Sequence, residues 1–481
     1  MAKKVITTGF ILLIIVAVIP AVLKYTPPST SEQPIAAFAS VINNGGSYVK
    51  YNGNVYYREY NAHSVDSSGL FANYDYVSGA VKDMVCLAPD GGKQVLFKDK
   101  GSGGIYIYND QFYLEEINSA PNTNDSVNGS VYTSTIYTVA LNGENRHDLA
   151  GGNIKAIDEK AGLLICAKEN DFWSSNIFTI NLSNYSVKTL ATDCTFTTEH
   201  DGVVYYEENV DDDNSRKGQI CLEAVTTDGS QRKKIVTTGT DLYPDGGGGP
   251  SKIQCIQFVG EDIYFSYGSY AGSGNFFQGG NICRVKKDGS GFEKLINGSV
   301  TETGHSGNTT DPNFIILSKN QGAYLYYSDY ASDTDSCLDL QTMQSSKTSE
   351  APTNLIRANS CLSVTSDYTG FKYASHAISP IRYPFTDGDN ISVYLNDSDH
   401  KTILLTTIDY QWQQPNTADD SETLRNIKDM EIVDGYFYFT IEDSVRDPNI
   451  DVGWRYGYSR QTTQVFRKPI GAGAVESLYS F

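Results

Sequence analysis

One recurring pattern limits what this chain can fold into: an apolar pair, a short alternating stretch, Asp-Gly or Asn-Gly, and a second apolar run. Its clearest copy is Ile282-Cys283-Arg284-Val285-Lys286-Lys287-Asp288-Gly289, followed by Leu295 and Ile296. Alternating apolar residues on either side of Asp-Gly specify a β-hairpin, because Gly takes the positive φ that the turn needs. The pattern returns at Val85-Cys86 with Asp90-Gly91, at Ile136-Tyr137 with Asn142-Gly143, and at Ile220-Cys221 with Asp228-Gly229. Looser copies run from Ile177-Phe178 to Leu190, from Val393-Tyr394 to Ile403-Leu404, and from Val465-Phe466 to Leu478.

A second signature, a turn followed by a Tyr-rich strand, precedes most of these copies. It reads Asn52-Gly53-Asn54-Val55-Tyr56-Tyr57, Asp201-Gly202-Val203-Val204-Tyr205-Tyr206, Glu261-Asp262-Ile263-Tyr264-Phe265 and Asp434-Gly435-Tyr436-Phe437-Tyr438-Phe439. Two hairpins give four strands per unit and roughly 40 to 60 residues per repeat, the range of propeller blades. One such sheet cannot bury both faces alone, so the units must stack. The expected fold is therefore all-β: a single β-propeller of four-stranded blades, eight by this count, with seven and one large insertion as the alternative. Blades begin near Ser47, Gly103, Asn153, Thr195, Lys252, Asn313 and Ile427, while residues 368–374 and 381–385 compete for the Tyr-rich strand of the seventh. The first and last units both look complete, so the closure of the ring is not visible. Residues 35–42 are a spare apolar segment that could cross the seam.

Ahead of the repeats, Lys3-Lys4 precede an uncharged run over residues 5–23 that Lys24 closes. At about 1.5 Å per residue this run spans about 30 Å, the thickness of a bilayer core. It is either an uncleaved anchor or a cleaved signal peptide, and the lack of a good small-x-small site just past it favours the anchor. The positive-inside rule then places Lys3-Lys4 in the cytoplasm and the remainder outside. The organisation read from the sequence is a signal anchor or signal peptide at 1–24, a Pro/Ser/Thr-rich tether at 25–35 and the propeller at 36–481. The expected location is extracytoplasmic and anchored at the cell surface, with secretion after cleavage as the alternative. Contact with the membrane is confined to residues 5–23. A net charge of −20 and a pI near 4.7 argue against nucleic acid as a partner, since phosphate binding needs basic patches.

The combination of Asp/Asn-Gly-x-Ile/Val-Tyr-Tyr with Ile-Tyr/Cys-x-Val-x-x-Asp-Gly-x-x-x-x-Leu resembles the uncharacterised bacterial surface β-propellers that are similar to those of low-density-lipoprotein-receptor-related (YWTD-like) proteins. The resemblance runs over residues 47–478 and implies an extracellular binding or scaffolding role without naming a catalytic residue. The chain lacks the regular Tyr-Trp-Thr-Asp tetrapeptide of the receptor propellers.

Few residues point to chemistry. Of the eight cysteines, Cys86, Cys221 and Cys283 take the slot that is Tyr137, Phe178, Tyr394 and Phe466 in other copies, and Cys166 falls where Tyr206 sits, so these read as core positions. If a disulfide forms, the expected pair is Cys337 with Cys361, which flank the loop-rich end of the sixth unit. No Cys-x-x-Cys or His-x-x-x-His pair suggests zinc. In Asp447-Pro448-Asn449-Ile450-Asp451-Val452-Gly453, three oxygen-bearing side chains, Asp447, Asn449 and Asp451, fall at alternate positions. That spacing is either a calcium loop or a solvated acidic turn: Gly453 is one place late for the usual loop, and no bidentate Glu follows. No other cofactor is expected. Ser64-Val65-Asp66-Ser67-Ser68-Gly69-Leu70-Phe71 approaches the Asp box of sialidases, but its Gly is one place late. The expected function is a binding or scaffolding module that takes a protein or carbohydrate ligand through its loop face. Two alternatives stand beside it: a carbohydrate-active enzyme with carboxylates in the central channel, and a structural surface component. No catalytic residue is assigned, and the oligomeric state is unspecified.

Overall fold

The computed structural model describes residues 44–60, 82–118, 133–170, 174–208, 221–237, 251–271, 276–296, 310–319, 322–329, 334–347, 368–373, 391–397, 402–408, 423–433, 435–451, 456–469 and 474–480. The segments 5–23 and 35–42 lie outside them. Among the described residues no helix is long and apolar enough to cross a membrane.

Within each sheet every strand pairs antiparallel with its neighbours in sequence, so the chain is a succession of meanders. The first sheet holds β1 (Tyr48–Tyr51), β2 (Asn54–Tyr60), β3 (Lys82–Leu87) and β4 (Lys93–Asp99), and the second holds β5 (Gly101–Tyr108), β6 (Gln111–Asn118), β7 (Thr133–Ala140) and β8 (His147–Gly151). A seven-stranded sheet follows: β9 (Asn153–Asp158), β10 (Leu163–Glu169), β11 (Ser175–Asn181), β12 (Val187–His200), β13 (Val203–Glu208), β14 (Cys221–Thr226) and β15 (Arg232–Thr237). It is two meanders joined through β12, which pairs with β11 up to Cys194 and with β13 from Cys194 onward. Then come β16 (Ser251–Val259), β17 (Asp262–Ala271), β18 (Phe276–Lys286) and β19 (Glu293–Ile296), and after them β20 (Thr310–Lys319), β21 (Gly322–Asp329), β22 (Thr334–Asp339) and β23 (Gln344–Lys347). A three-stranded sheet of β24 (Tyr368–Tyr373), β25 (Ile391–Asp397) and β26 (Thr402–Ile408) precedes the last, formed by β27 (Thr423–Val433), β28 (Tyr436–Asp451), β29 (Tyr456–Pro469) and β30 (Glu476–Ser480). Of the two candidates for the Tyr-rich strand of the seventh unit, 368–373 is thus the one that pairs with β25.

The hairpins form for the reasons visible in the sequence. Asn52 and Gly53 both sit at positive φ (49° and 81°), the requirement of the two-residue turn whose twist matches paired strands. In the third-to-fourth-strand turns the acidic residue or amide closes the turn with its own side chain. Asp90 Oδ1 accepts from Gly92 N (2.8 Å), Asn142 Oδ1 from Glu144 N (3.0 Å), Asp228 Oδ1 from Ser230 N (2.9 Å) and Asp288 Oδ1 from Ser290 N (2.8 Å).

The core is divided into packets, most of them shared between consecutive units. Tyr56 and Met84 of the first sheet pack with Ile105, Phe112 and Tyr137 of the second. Tyr106 and Tyr113 then meet Leu164 and Phe178, Leu222 meets Phe265 and Cys283, and Ile282 meets Phe314 and Leu338. First strands touch in succession, β1 with β5, β5 with β9, β9 with β12, β12 with β16 and β16 with β20, and β27 touches β1. The last packet joins the ends: Tyr48, Val55, Tyr57, Val85 and Leu87 of the first sheet pack on Val433, Tyr438 and Val465 of the last. Meanders placed side by side with first strands innermost and the ends in contact make the architecture of a β-propeller. Its seam is closed by packing of two complete sheets, with no strand exchanged between them among the described residues.

Strand register corrects one reading of the cysteines. Tyr137 stands opposite Leu114, Phe178 opposite Cys166 and Cys283 opposite Phe265, which is one slot. Cys86 stands opposite Tyr56, one residue further on, and Cys221 lies two residues before Glu223, the residue opposite Tyr206. A shift of one residue reverses the face of a strand, so Cys86 packs toward the second unit while Cys283 packs toward the fourth.

Gly289 shows how turns set the spacing between units. Its φ is +82°, and a Cβ there would lie 3.0 Å from the Ile235 carbonyl oxygen of β15, in the preceding unit. Gly143 at φ +84° is placed in the same way against Phe97 of β4. Gly289→Val is expected to destabilise the protein by about 1 to 3 kcal/mol, through backbone strain and the clash with a neighbouring strand. Denaturant unfolding measures this, and an unchanged midpoint would contradict the turn assignment.

Candidate functional site

A meander places its first-to-second and third-to-fourth turns at one end and its remaining connections at the other. The turn end is compact, with two-residue loops such as Asn52-Gly53, Asn109-Asp110 and Asp201-Gly202. From the opposite end leave the connections 61–81, 119–132 and 209–220 between second and third strands, and 238–250, 297–309, 348–367 and 409–422 between sheets. Connections carry recognition while strands carry the scaffold, so the second-strand C-terminal ends that border the long connections are the place to look for polar chemistry.

There the repeat carries charge directly after its Tyr-rich core: Arg58-Glu59 on β2, Glu115-Glu116 on β6 and Glu207-Glu208 on β13. The first member of each pair reaches across the boundary to the first strand of the next unit. Arg58 Nη1 donates to the Gly103 carbonyl (2.5 Å), Glu115 Oε1 accepts from Ile154 N (2.5 Å), and Glu207 Oε1 accepts from Ile253 N. All three first strands carry register irregularities there, which leave backbone groups outside the ladder. The equivalent residue of the last sheet, Thr440, shares a hydrogen bond with the Tyr48 hydroxyl across the seam (2.9 Å between oxygens).

The densest network joins the first two units. Asp99 is buried and accepts from Arg58 Nε (2.7 Å) at one oxygen and from Tyr137 OH (2.5 Å) and Gly101 N (2.8 Å) at the other. Burial pushes this carboxyl up, but the Arg58 charge and the hydrogen bonds outweigh it and hold the group below its ordinary value of 3.8. Arg58 Nη2 is buried without a hydrogen-bond partner among the described residues. Glu59, also buried, accepts from Tyr57 OH (2.7 Å) and lies 2.6 Å from Lys93 Nζ.

Two further places could take a ligand. Glu208, Cys221 and Glu223 each offer one donor atom, all within 4.8 Å of one another, and Tyr206 OH donates to Glu223 Oε2 (2.6 Å). Three protein donors suit a cation with open positions. Burial first, and hydrogen bonding to Glu208 among the lesser causes, push the Cys221 thiol up, which works against the deprotonation a metal requires. Near the axis, a cavity of about 300 Å³ is lined by residues of four successive units, including Asn44, Tyr106, Lys155 and Glu199. Burial pushes the Glu199 carboxyl up, and its Oε1 accepts from Gly202 N (2.8 Å). Glu199 is the one carboxylate among the described residues lining this cavity.

The residues singled out in the sequence are dispersed. The backbone of Asp447, Asn449 and Asp451 forms the end of β28, where its register against β29 shifts between Asp447 and Asp451. Their side chains lie outside the described residues. Cys337 is buried on β22, and Cys361 lies outside the described residues. Sequence reasoning missed Arg58, Asp99, Glu115 and Glu207. Aligning the repeats on their Tyr-rich strands would have exposed three of them, as charges at a strand position where a plain meander needs none.

No family model and no curated protein matches this chain. Solved structures resemble it at low similarity. The N-terminal domain of Nup159 is 8% identical with a TM-score of 0.34, covering 77% of this chain and 91% of that one. The β-propeller domain of the trilobed protease from Pyrococcus furiosus is 11% identical with a TM-score of 0.33, over 78% and 96%. An oligogalacturonate lyase in complex with manganese is 9% identical with a TM-score of 0.29, over 56% and 73%. The fold assignment rests on the chain's own strand order and packing.

The Asp99 network yields a test of its own. Asp99→Asn keeps the shape but leaves Arg58 buried without its countercharge, and is expected to cost about 3 to 5 kcal/mol. Because the folded pKa is depressed, Asp99 contributes its stability above pH 3.8 and loses it as the pH falls through the folded value. The acid limb of a stability–pH curve should therefore flatten in the variant. A change within about 0.5 kcal/mol, the range of ordinary surface substitutions, would contradict the network.

Proposed function

We propose that this chain is an extracytoplasmic, membrane-tethered β-propeller of eight blades that binds a protein or carbohydrate partner through the face from which its long connections leave. The observation that carries the reading is the asymmetry between the two ends of the sheets. The turn end spends two residues on most of its inner hairpins and four on that between β9 and β10, whereas the connections 61–81, 119–132, 209–220, 238–250 and 297–309 leave the opposite end. Polar and acidic side chains at the strand ends there, Glu116 and Glu208 among them, supply a hydrogen-bonding rim. Dividing the seven-stranded sheet at β12 and taking the three-stranded sheet as one unit supports the count of eight. The specific likeness to receptor-related propellers belongs to the same proposal, as do the anchor at residues 5–23, calcium at Asp447, Asn449 and Asp451, and the Cys337–Cys361 pair.

A carbohydrate-active enzyme would need two carboxylates facing each other across its site. The axial cavity offers Glu199 and, among its described lining residues, no second carboxylate. That favours the binding module over the enzyme.

Site-specific photo-crosslinking on the full-length protein in its own membrane tests the face directly. A photoreactive residue at Asp125 or Asp212, in the long connections, should capture a partner. The same probe at Asn142 or Asp288, in the compact turns, should not. Capture from the turn positions alone would overturn the assignment, and so would external protease failing to reach the propeller in intact cells.

A further inference from the structure

Glu115 is one of the buried carboxylates of the described structure, with Glu59, Asp99 and Glu207. It is 6% exposed, projects from β6 across the boundary between the second and third meanders, and accepts the Ile154 N–H of β9 at 2.5 Å. Its oxygens lie 3.3 to 3.4 Å from the point where a Cβ on Gly103 would stand, so the β5 backbone closes over it. The groups around it do not form an ion pair with it. Arg58 on β2 gives Nε to Asp99 and Nη1 to the Gly103 carbonyl, while its Nη2 is buried without a hydrogen-bond partner among the described residues, and the Tyr137 hydroxyl on β7 is given to Asp99. Tyr106 on β5 and Cys166 on β10 are buried and uncharged at neutral pH, and Lys155 on β9 is exposed and acts from a distance. The equivalent Glu207 makes the same contact with Ile253 N, so the geometry comes from the repeat.

We infer that Glu115 is a protonation-controlled latch: neutral, it holds the boundary between the second and third meanders closed; ionised, it draws water in and loosens the first strand of the third. Two residues beside this boundary, Tyr106 and Lys155, line the axial cavity, so the latch sets the rigidity of that wall. Electrostatics agree with the geometry. Burial pushes the carboxyl up to about 7 from an ordinary 4.5, against weaker opposing effects of the Ile154 hydrogen bond, Lys155 and Arg58. A raised folded pKa means that the stabilisation is complete below pH 4.5, declines as the pH rises, and is gone above about 7.

The test compares wild type with Glu115→Gln, which keeps an acceptor for Ile154 and cannot ionise. Between pH 4.5 and 7 the wild-type unfolding constant should rise relative to the variant by up to about 300-fold. Hydrogen exchange at Ile154, corrected for its intrinsic pH dependence, should lose protection over the same window in wild type alone. The carboxyl carbon of Glu115, followed by NMR in the wild type, should titrate near 7, which decides the matter even if the variant does not fold. Titration near 4.5, or parallel pH profiles for the two proteins, would overturn the latch.

Discussion

A four-stranded meander with two apolar faces can satisfy both only against neighbours, and the whole structure depends on that constraint. Along the chain each unit finds one neighbour before it and one after it; only the first and last units lack one. The seam removes this defect by bringing Tyr48 of the first sheet within 5.0 Å of Tyr438 of the last, ring centre to ring centre, and by linking the Tyr48 hydroxyl to Thr440. Lys93 adds a hydrogen bond to the Leu478 carbonyl at the outer edge (3.3 Å). Among the described residues both terminal sheets are complete four-stranded meanders, and side-chain packing joins them.

Apolar packing alone would let neighbouring units slide, because it has little directional preference. Polar contacts between first strands fix the register. Asn44 exchanges two hydrogen bonds with Ile107 through its amide, both at 2.8 Å, and Gln257 bonds Phe314 O (2.8 Å) and Ile316 N (3.0 Å) of β20. The Asn44 amide extends the two backbone hydrogen bonds that Gly45 and Gly46 exchange with Ile105, and the Gln257 amide bridges β16 to β20. Arg58, Glu115 and Glu207 do the same for the irregular strands nearer the long connections. These contacts brace the wall around the axis of the described units.

Much of this was legible because local and global preferences agree. Asp-Gly and Asn-Gly marked the turns, the Tyr-rich runs marked the second strands, and the unit boundaries near Ser47, Gly103, Asn153 and Lys252 fall within two residues of β1, β5, β9 and β16. The cysteine slots were partly misread, since a bulge or a turn of different length shifts register without changing the apolar pattern that sequence alone displays. The polar boundary residues escaped notice for a related reason. Asp99 draws its role from Arg58 and Tyr137, which stand on other strands, and Glu115 draws its role from a bulge in the next unit. Nothing in the single repeat encodes those encounters.

The central claim is that the first and last sheets share one core, and a double-mutant cycle between Tyr48 and Tyr438 tests it most directly. Tyr48→Leu, Tyr438→Leu and the double variant would be unfolded in denaturant and their stabilities compared. A closed ring predicts that the two losses do not add, with a coupling of about 0.5 to 1.5 kcal/mol, the worth of a packed aromatic pair. Strict additivity between the two substitutions would mean that these sheets do not meet, and the ring would be open.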